Sequence, residues 1–349
     1  MAITIIVIEL IVTVFAVFEN YLGKQKNALY WGVGVLLIAV AGFKNVDSVR
    51  DAANYEYIFI NNDDPILAKG VEFSFLWLSK LLYPVFHDVH AIFLLYAAIA
   101  IPVKLYAIKR ISPIWFLPFV IYISNYYILH DLTQIRASVA SGFFIVSVYY
   151  LGENKKNIAF LLMICAAFFH YSAISLFPLL FLSNKDLNTK GKIIWAALIP
   201  MGYLLYFLHI NIIATVPIPY ISGKIEAYQE LTEKGIGGYD QINVFNLVFL
   251  VNILVFYYNL FFYETIKANC PTASLVLKIQ AISIFFFPAL ATIPAIAFRL
   301  YELFGVINII AFQNVYYTIK QNVVSKCVVA SIGWAILCVN LFYNHILES

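Results

Sequence analysis

The run from His130 to Arg136 carries the residue types most suited to chemistry, because it places five polar side chains between two apolar stretches. Arg136 is predicted to lie in the first turns of a helix, where free N–H groups and the helix dipole already favour an anion. This position predicts a phosphate or diphosphate clamp, with Gln134 as a further substrate ligand and His130 as a candidate base. Asp131 could assist that base, although Asp131 followed three residues later by Gln134 also has the form of a capping box, an alternative structural role.

Two further sites place ionisable groups beside apolar stretches. His170 stands in the sequence Phe-Phe-His-Tyr-Ser, where a structural role and a role as the base are weighed equally. Tyr171 beside it is a candidate to stack on a sugar, with a place in the interfacial aromatic belt as the more general alternative. Arg299 and Glu302 have a spacing that permits an intrahelical ion pair. Ionisable groups near membrane depth are nevertheless costly and usually functional. We therefore expect Arg299 to bind phosphate and Glu302 to orient or replace the base.

Arg50 and Asp51 lie in the hydrophilic segment 44–70, which is either a plain solvated loop or part of the same site. We take Arg50 as a third diphosphate ligand and Asp51 as a substrate ligand. The chain has no DxD, HExxH or CxxC pattern, so no metal is expected. It also has no GxGxxG or Walker A loop, so no nucleotide or other cofactor is expected. A glycosyl transferase without a nucleotide site would have to use a lipid-linked donor.

The elements that must position these residues are membrane-spanning helices. Of 349 residues, 63% are hydrophobic and only 12% are charged, against roughly a quarter charged in a soluble domain. This composition predicts an all-α, polytopic integral membrane protein, and the net charge of +3 gives no reason to expect nucleic acid as a partner. Apolar runs suited to crossing a bilayer number about twelve, at residues 3–19, 28–43, 91–108, 114–129, 134–151, 157–169, 171–183, 192–213, 243–263, 275–297, 300–319 and 324–345.

The lysines predict how this single transmembrane domain, residues 1–349, is oriented, because short cytoplasmic loops retain positive charge. With the lysine-rich loops inside, both termini and the loops 44–70 and 214–242 face outward. The stretch 157–183 must then go out and return, breaking near His170, with a re-entrant hairpin as the alternative. The segment 71–86 is expected to lie along the outer interface as an amphipathic helix.

This orientation places most of the arginines on the unfavoured side of the membrane. The chain has four arginines, and Arg50, Arg136 and Arg299 fall outside, against the positive-inside tendency. Arginine held at that face suggests an anion to be bound there. The candidate residues from distant parts of the chain are therefore expected to converge beneath the outer leaflet.

The order of these features resembles the EpsG-like branch of the Wzy polysaccharide polymerases. The resemblance spans roughly residues 45–185, with Arg299 as the one marker in the C-terminal half. It is carried by Asp47 with Asn54-Tyr55, Glu72-Phe73, Lys109-Arg110-Ile111-Ser112, His130-Asp131-x-x-Gln134-Ile135-Arg136 and Phe169-His170-Tyr171-Ser172-Ala173. It is most specific around Gln134-Ile135-Arg136 and Phe169-His170.

The resemblance implies a metal-independent glycosyltransferase of the bacterial cytoplasmic membrane, with a GT-C-like multi-spanning fold and its active site facing the periplasm or outside. It would move a growing glycan from undecaprenyl diphosphate to the next lipid-linked oligosaccharide, with a Wzz-like chain-length regulator as partner. The alternatives are a flippase of lipid-linked saccharide, an O-antigen ligase and a purely structural membrane subunit. A flippase usually shows two related halves, and no internal repeat is visible in the sequence.

Overall fold

A computed structural model describes residues 1–68, 71–212 and 242–347, and the described residues are helical with no strand among them. The α-helices are α1 (Ala2–Val17), α2 (Lys26–Gly42), α3 (Ala52–Ile60), α4 (Pro65–Ala68), α5 (Phe73–Phe86), α6 (His90–Ile111), α7 (Phe116–Ile121), α8 (Ile135–Gly152), α9 (Lys156–Phe169), α10 (Thr189–Phe207), α11 (Leu247–Phe261), α12 (Tyr263–Lys267), α13 (Ala273–Ala289), α14 (Pro294–Gly305), α15 (Asn308–Gln313) and α16 (Asn322–Cys338). Tighter 3₁₀ turns occur at Glu19–Tyr21, Gly23–Gln25, Val46–Ser48, Tyr171–Phe181 and Asn314–Thr318, and wider π-helices at Tyr122–Thr133 and Val339–Tyr343.

The membrane-spanning character is clearest in the longest helices. Among the described residues, three helices are long and apolar enough to cross a bilayer, namely His90–Ile111, Ile135–Gly152 and the continuous Asn322–Tyr343. A fourth crossing is possible where Pro294–Gly305 and Asn308–Thr318 are bent by 48° at a short break. The protein is therefore a helical membrane protein with several apolar helices, whereas the count of about twelve crossings and the GT-C-like arrangement stay predictions.

A π-helix replaces the end of the predicted crossing at 114–129. Its last turn is closed by the Gln134 N–H, which donates to the Leu129 carbonyl five residues back at 3.2 Å. Helix α8 then begins at Ile135 with Gln134 as its N-cap residue. The capping-box interpretation of Asp131 is therefore wrong, because that residue lies inside the preceding π-helix and not at the start of α8.

Asp131 instead belongs to a buried ion pair that ties this π-helix to α6 and α8. Lys104 Nζ donates to Asp131 at 2.7 Å, Tyr122 Oη at 2.8 Å and Ser138 Oγ at 2.6 Å. The side chains of Lys104 and Asp131 are both fully buried. A carboxylate at this depth needs a partner for its charge, and that requirement fixes the relative positions of the three segments.

The break predicted near His170 is present, whereas the outward and return crossing of 157–183 stays a prediction. Helix α9 ends at Phe169, and a 3₁₀ helix, Tyr171–Phe181, continues the chain. Helix α5 covers nearly all of the predicted interfacial segment 71–86. The predicted outer loop 44–70 contains α3, α4 and a 3₁₀ turn, while the loop 214–242 lies outside the described residues apart from its final Ile242.

Close packing between α10 and α13 depends on a glycine. A Cβ added at Gly202 would lie 2.9 Å from the Phe285 carbonyl oxygen, closer than backbone atoms tolerate, whereas a Cβ at Gly32 of α2 would meet nothing within 4 Å. Both glycines are inside helices, so Gly32→Ala controls for the intrinsic helix preference of alanine.

We expect Gly202→Ala to destabilise the protein by about 1–3 kcal/mol through overpacking. Gly32→Ala should leave the unfolding temperature unchanged or raise it slightly. Thermal unfolding of both variants in the same detergent measures the difference. Equal shifts for the two substitutions would mean that α10 and α13 are not in close contact.

Candidate active site

A cavity of about 870 Å³ collects most of the candidate residues. Its lining includes seven of the ten residues selected from the sequence, which are Arg50, Asp51, Gln134, Arg136, His170, Arg299 and Glu302. They come from the segment before α3, the start of α8, the break after α9 and the middle of α14. The same cavity is also lined by five asparagines, Asn125, Asn243, Asn246, Asn340 and Asn344, and by the aromatic residues Tyr55, Tyr126, Phe287, Phe298 and Tyr301.

A carboxylate joins two of the cavity residues. Glu72 Oε1 accepts a hydrogen bond from His170 Nδ1 at 2.7 Å, and its other oxygen accepts from Arg136 Nη1. The Arg136 guanidinium also lies over the Tyr55 ring, 5.4 Å from its centroid. Glu72 is the residue immediately before α5, so one side chain connects the start of α5 to α8 and to the break after α9.

The electrostatics of Glu72 are those of a permanent anion. Burial raises its pKa, but the hydrogen bond from His170 and the positive charge of Arg136 outweigh burial and lower the pKa from 4.5 to about 2. The carboxylate is therefore ionised at any physiological pH. It accepts the hydrogen bond from Nδ1 of His170, which leaves Nε2 as the ring nitrogen that is not bound to Glu72.

A second carboxylate in the cavity is held by an amide. Gln134 Nε2 donates to Glu302 Oε2 at 2.9 Å, which connects the N-terminal end of α8 to α14. Arg299, Asp51 and Arg50 are electrostatic neighbours of Glu302. The cavity lining therefore combines guanidinium and carboxylate groups with the imidazole of His170.

Asp51 adopts an unusual backbone conformation at the edge of this site. Its φ of +66° lies in the left-handed region, and it is the N-cap residue of α3. Such a conformation costs free energy for a residue other than glycine and often occurs at functional sites. The turn places Arg50 and Asp51 together on the cavity lining.

The remaining three candidates do not line this cavity. His130 is fully buried, and neither of its ring nitrogens has a hydrogen-bond partner within the described residues. Asp131 is occupied by Lys104, as described above. Tyr171 is exposed, and its hydroxyl accepts from the Phe73 N–H at 3.4 Å. Local structure explains the two buried positions, because the π-helix turns His130 and Asp131 away from the side that Gln134 and Arg136 face.

Glu72 and the asparagines are not among the site residues predicted from the sequence. Glu72 carried a signal, since an acidic residue opens the otherwise apolar segment 71–86, which is predicted to be interfacial, and ionisable groups there are usually functional. The asparagines carried none, because uncharged amides are common in loops and at helix ends. In the described part of the chain, no cluster of three or more histidine, cysteine or acidic side chains has the arrangement of a metal site.

These features define a helical membrane protein with a polar cavity that brings cationic, acidic and imidazole groups together. The model of the EpsG family matches residues 27–348. The chain therefore belongs to the EpsG family, which is linked to exopolysaccharide synthesis. The resemblance found in the sequence is confirmed at the level of this family, and no curated protein or solved structure matches the chain.

The Glu72 interactions generate a prediction about pH. Its pKa is lower in the folded protein than in the unfolded chain, so its contribution to stability is complete above about pH 4.5 and is lost as the pH falls towards 2. That contribution is on the order of 3 kcal/mol. We expect Glu72→Gln to flatten the acid limb of the unfolding temperature measured between pH 5 and pH 2.5.

Asp63 provides a matched control, because its carboxylate is exposed and pairs with Lys80 at the surface. Asp63→Asn should retain the acid limb of the native protein. An unchanged slope in Glu72→Gln would show that this carboxylate does not hold both His170 and Arg136.

Proposed function

We propose that this protein is a polymerase of lipid-linked oligosaccharide repeat units at the outer face of the bacterial cytoplasmic membrane. It transfers a growing glycan from undecaprenyl diphosphate to the non-reducing end of the next lipid-linked unit. The observation that carries the proposal is the shared cavity lined by Arg50, Arg136, Arg299 and His170. Membership of a family linked to exopolysaccharide synthesis supports the same reaction class. A Wzz-like chain-length regulator is the proposed protein partner.

The arginines fit the departing diphosphate. Guanidinium groups bind phosphate through pairs of charge-assisted hydrogen bonds, and a lipid diphosphate leaves with negative charge that must be stabilised in the transition state. Arg50 and Arg299 are both exposed on the cavity lining. Arg136 is held from one side by Glu72, so its position is fixed before substrate binds.

His170 fits the base. With its Nδ1–H donated to Glu72, Nε2 takes the proton of the acceptor hydroxyl as the acceptor oxygen bonds to the anomeric carbon. The bond from that carbon to the diphosphate oxygen breaks in the same step, the electron pair leaves with the diphosphate, and the anomeric configuration inverts. Glu302, held by Gln134, is the alternative base, and Glu72 takes the orienting role for which Asp131 was considered.

Purified protein supplied only with lipid-linked repeat units tests the function. A ladder of products on one lipid is the expected result. Movement of unchanged lipid between leaflets of a vesicle would identify a flippase, and transfer that begins only when a different lipid acceptor is added would identify a ligase. Either of these outcomes would overturn the polymerase proposal.

Alanine substitutions of two histidines that differ in burial test which of them is the base. We expect His170→Ala to lower turnover by about 10²–10⁴-fold, the usual contribution of a positioned base. His130→Ala should retain most of the turnover per folded molecule, because His130 does not line the cavity. Turnover is measured on the fraction that elutes as folded protein. Wild-type turnover in His170→Ala would move the assignment to Glu302.

Arg299 and Arg110 form a second pair. Arg299→Gln removes a charge from the proposed clamp, and we expect turnover to fall by about 10²–10³-fold, by analogy with the loss of one preorganised donor to an oxyanion. Arg110→Gln is the control, because Arg110 is exposed at the end of α6 and bonds Tyr106 Oη at 3.0 Å. Equal activity of the two variants would exclude Arg299 from the clamp.

A further inference from the structure

The diphosphate scheme leaves the asparagines of the cavity without a role. Three of them form a chain of amides. Asn340 Nδ2 donates to Asn125 Oδ1 at 3.0 Å, and Asn344 Nδ2 donates to Asn340 Oδ1 at 3.2 Å. All three line the same cavity as the arginines. Neutral amides contribute little to holding a phosphate compared with guanidinium groups, so this part of the lining points to a different ligand group.

Two π-helical segments build the amide chain. The Asn344 N–H donates to the Val339 carbonyl five residues back at 2.8 Å, and Asn125 lies in the π-helix Tyr122–Thr133. Buried Asn340 anchors one segment to the other, since its Nδ2 also donates to the Ser124 carbonyl at 3.0 Å. The chain is therefore fixed by the backbone, while half-buried Asn125 and exposed Asn344 form its accessible ends.

Ordered aromatic rings accompany these amides. Tyr126 donates its hydroxyl to the Gly305 carbonyl and accepts from Asn308 Nδ2 at 3.2 Å. Tyr301 is hydrogen-bonded to Asn252 and packs on Phe287 with the ring centroids 4.7 Å apart. Because their hydroxyls bond to the protein, the rings of Tyr126 and Tyr301 are held in place on the cavity lining. Fixed rings beside hydrogen-bonding groups are typical of sites for small polar molecules.

The amides are separated from the charged groups along the chain. Asn125 precedes Gln134 by nine positions, of which all but the last step lie within the π-helix, and this corresponds to a rise on the order of 10 Å. The cavity residues between them, Tyr126, Leu129 and Thr133, carry no charge. An amide offers both a donor and an acceptor, as a sugar hydroxyl does. An uncharged, hydroxyl-rich group is therefore the ligand that matches this part of the lining.

We propose that the part of the cavity lined by Asn125, Asn340 and Asn344 binds the uncharged sugar rings of the glycan, apart from the diphosphate. The inference rests on the proposed function and divides its cavity in two. Asn125 and Asn344 hydrogen-bond to sugar hydroxyls, and Tyr126 lies against an apolar ring face. The arginines bind the phosphates.

Two probes test the division in the full-length protein reconstituted in lipid nanodiscs. One is undecaprenyl diphosphate, and the other is the water-soluble oligosaccharide released from the lipid-linked unit by mild acid. We expect Asn125→Ala and Asn344→Ala each to weaken oligosaccharide binding by about five- to tenfold, as for one lost hydrogen bond. Undecaprenyl diphosphate binding should change less than about twofold, whereas Arg299→Gln should show the opposite pattern.

Asn322→Ala is the matched control, because this exposed asparagine at the start of α16 does not line the cavity. The proposal is overturned if the native protein does not bind the oligosaccharide, if the cavity variants bind it normally, or if both probes weaken equally. Should the native protein form no ladder while the asparagine variants still lose oligosaccharide binding, the polymerase proposal falls and the saccharide site stands. If the native protein forms a ladder and the asparagine variants bind the oligosaccharide normally, the polymerase proposal stands and the saccharide site falls.

Discussion

The position of the cavity residues depends on one buried carboxylate, that of Glu72. Its two oxygens bind Arg136 and His170, so the start of α5, the start of α8 and the break after α9 are held at one point. The energetics of the membrane make this arrangement specific. A guanidinium at that depth without a partner would be costly. The three segments can therefore approach only in ways that keep Arg136 and His170 within hydrogen-bonding distance of Glu72. The arrangement that satisfies the charges also orients the imidazole.

The ion pair of Lys104 and Asp131 likewise compensates charges that are buried in the interior. Both side chains are fully buried, and the additional hydrogen bonds from Tyr122 and Ser138 satisfy the carboxylate. Because this network holds the π-helix against α6 and α8, it determines which side of the chain Gln134 and Arg136 present to the cavity. Within this π-helix, Asn125, Leu129 and Thr133 line the cavity, whereas His130 and Asp131 are buried and do not line it. Neighbours in sequence therefore have separate roles, one structural and one at the site.

This separation explains what the sequence could predict. Charge placement along the chain predicted the break at His170 and the common location of Arg136, Arg299 and Glu302, because membrane depth restricts where ionisable groups can lie. The inward rotation of His130 and Asp131 could not be predicted, since it depends on a π-helix whose hydrogen bonds leave no pattern in residue type. The same holds for Glu72. Its identity was visible in the sequence, but its partners lie 64 and 98 positions away.

Net charge alone does not account for the proposed selectivity of the cavity. Three arginines line it together with Asp51 and Glu302, and the nearby Glu72 brings the formal balance of these six groups to zero. A site of this kind attracts a diphosphate weakly at long range, where salt also screens the charges. Its affinity must come from direct contact with guanidinium groups held in fixed orientations. The neighbouring carboxylates reduce the repulsion between the arginines before substrate arrives. Under this arrangement recognition of the neutral sugars becomes necessary, because the phosphates alone do not distinguish one lipid-linked glycan from another.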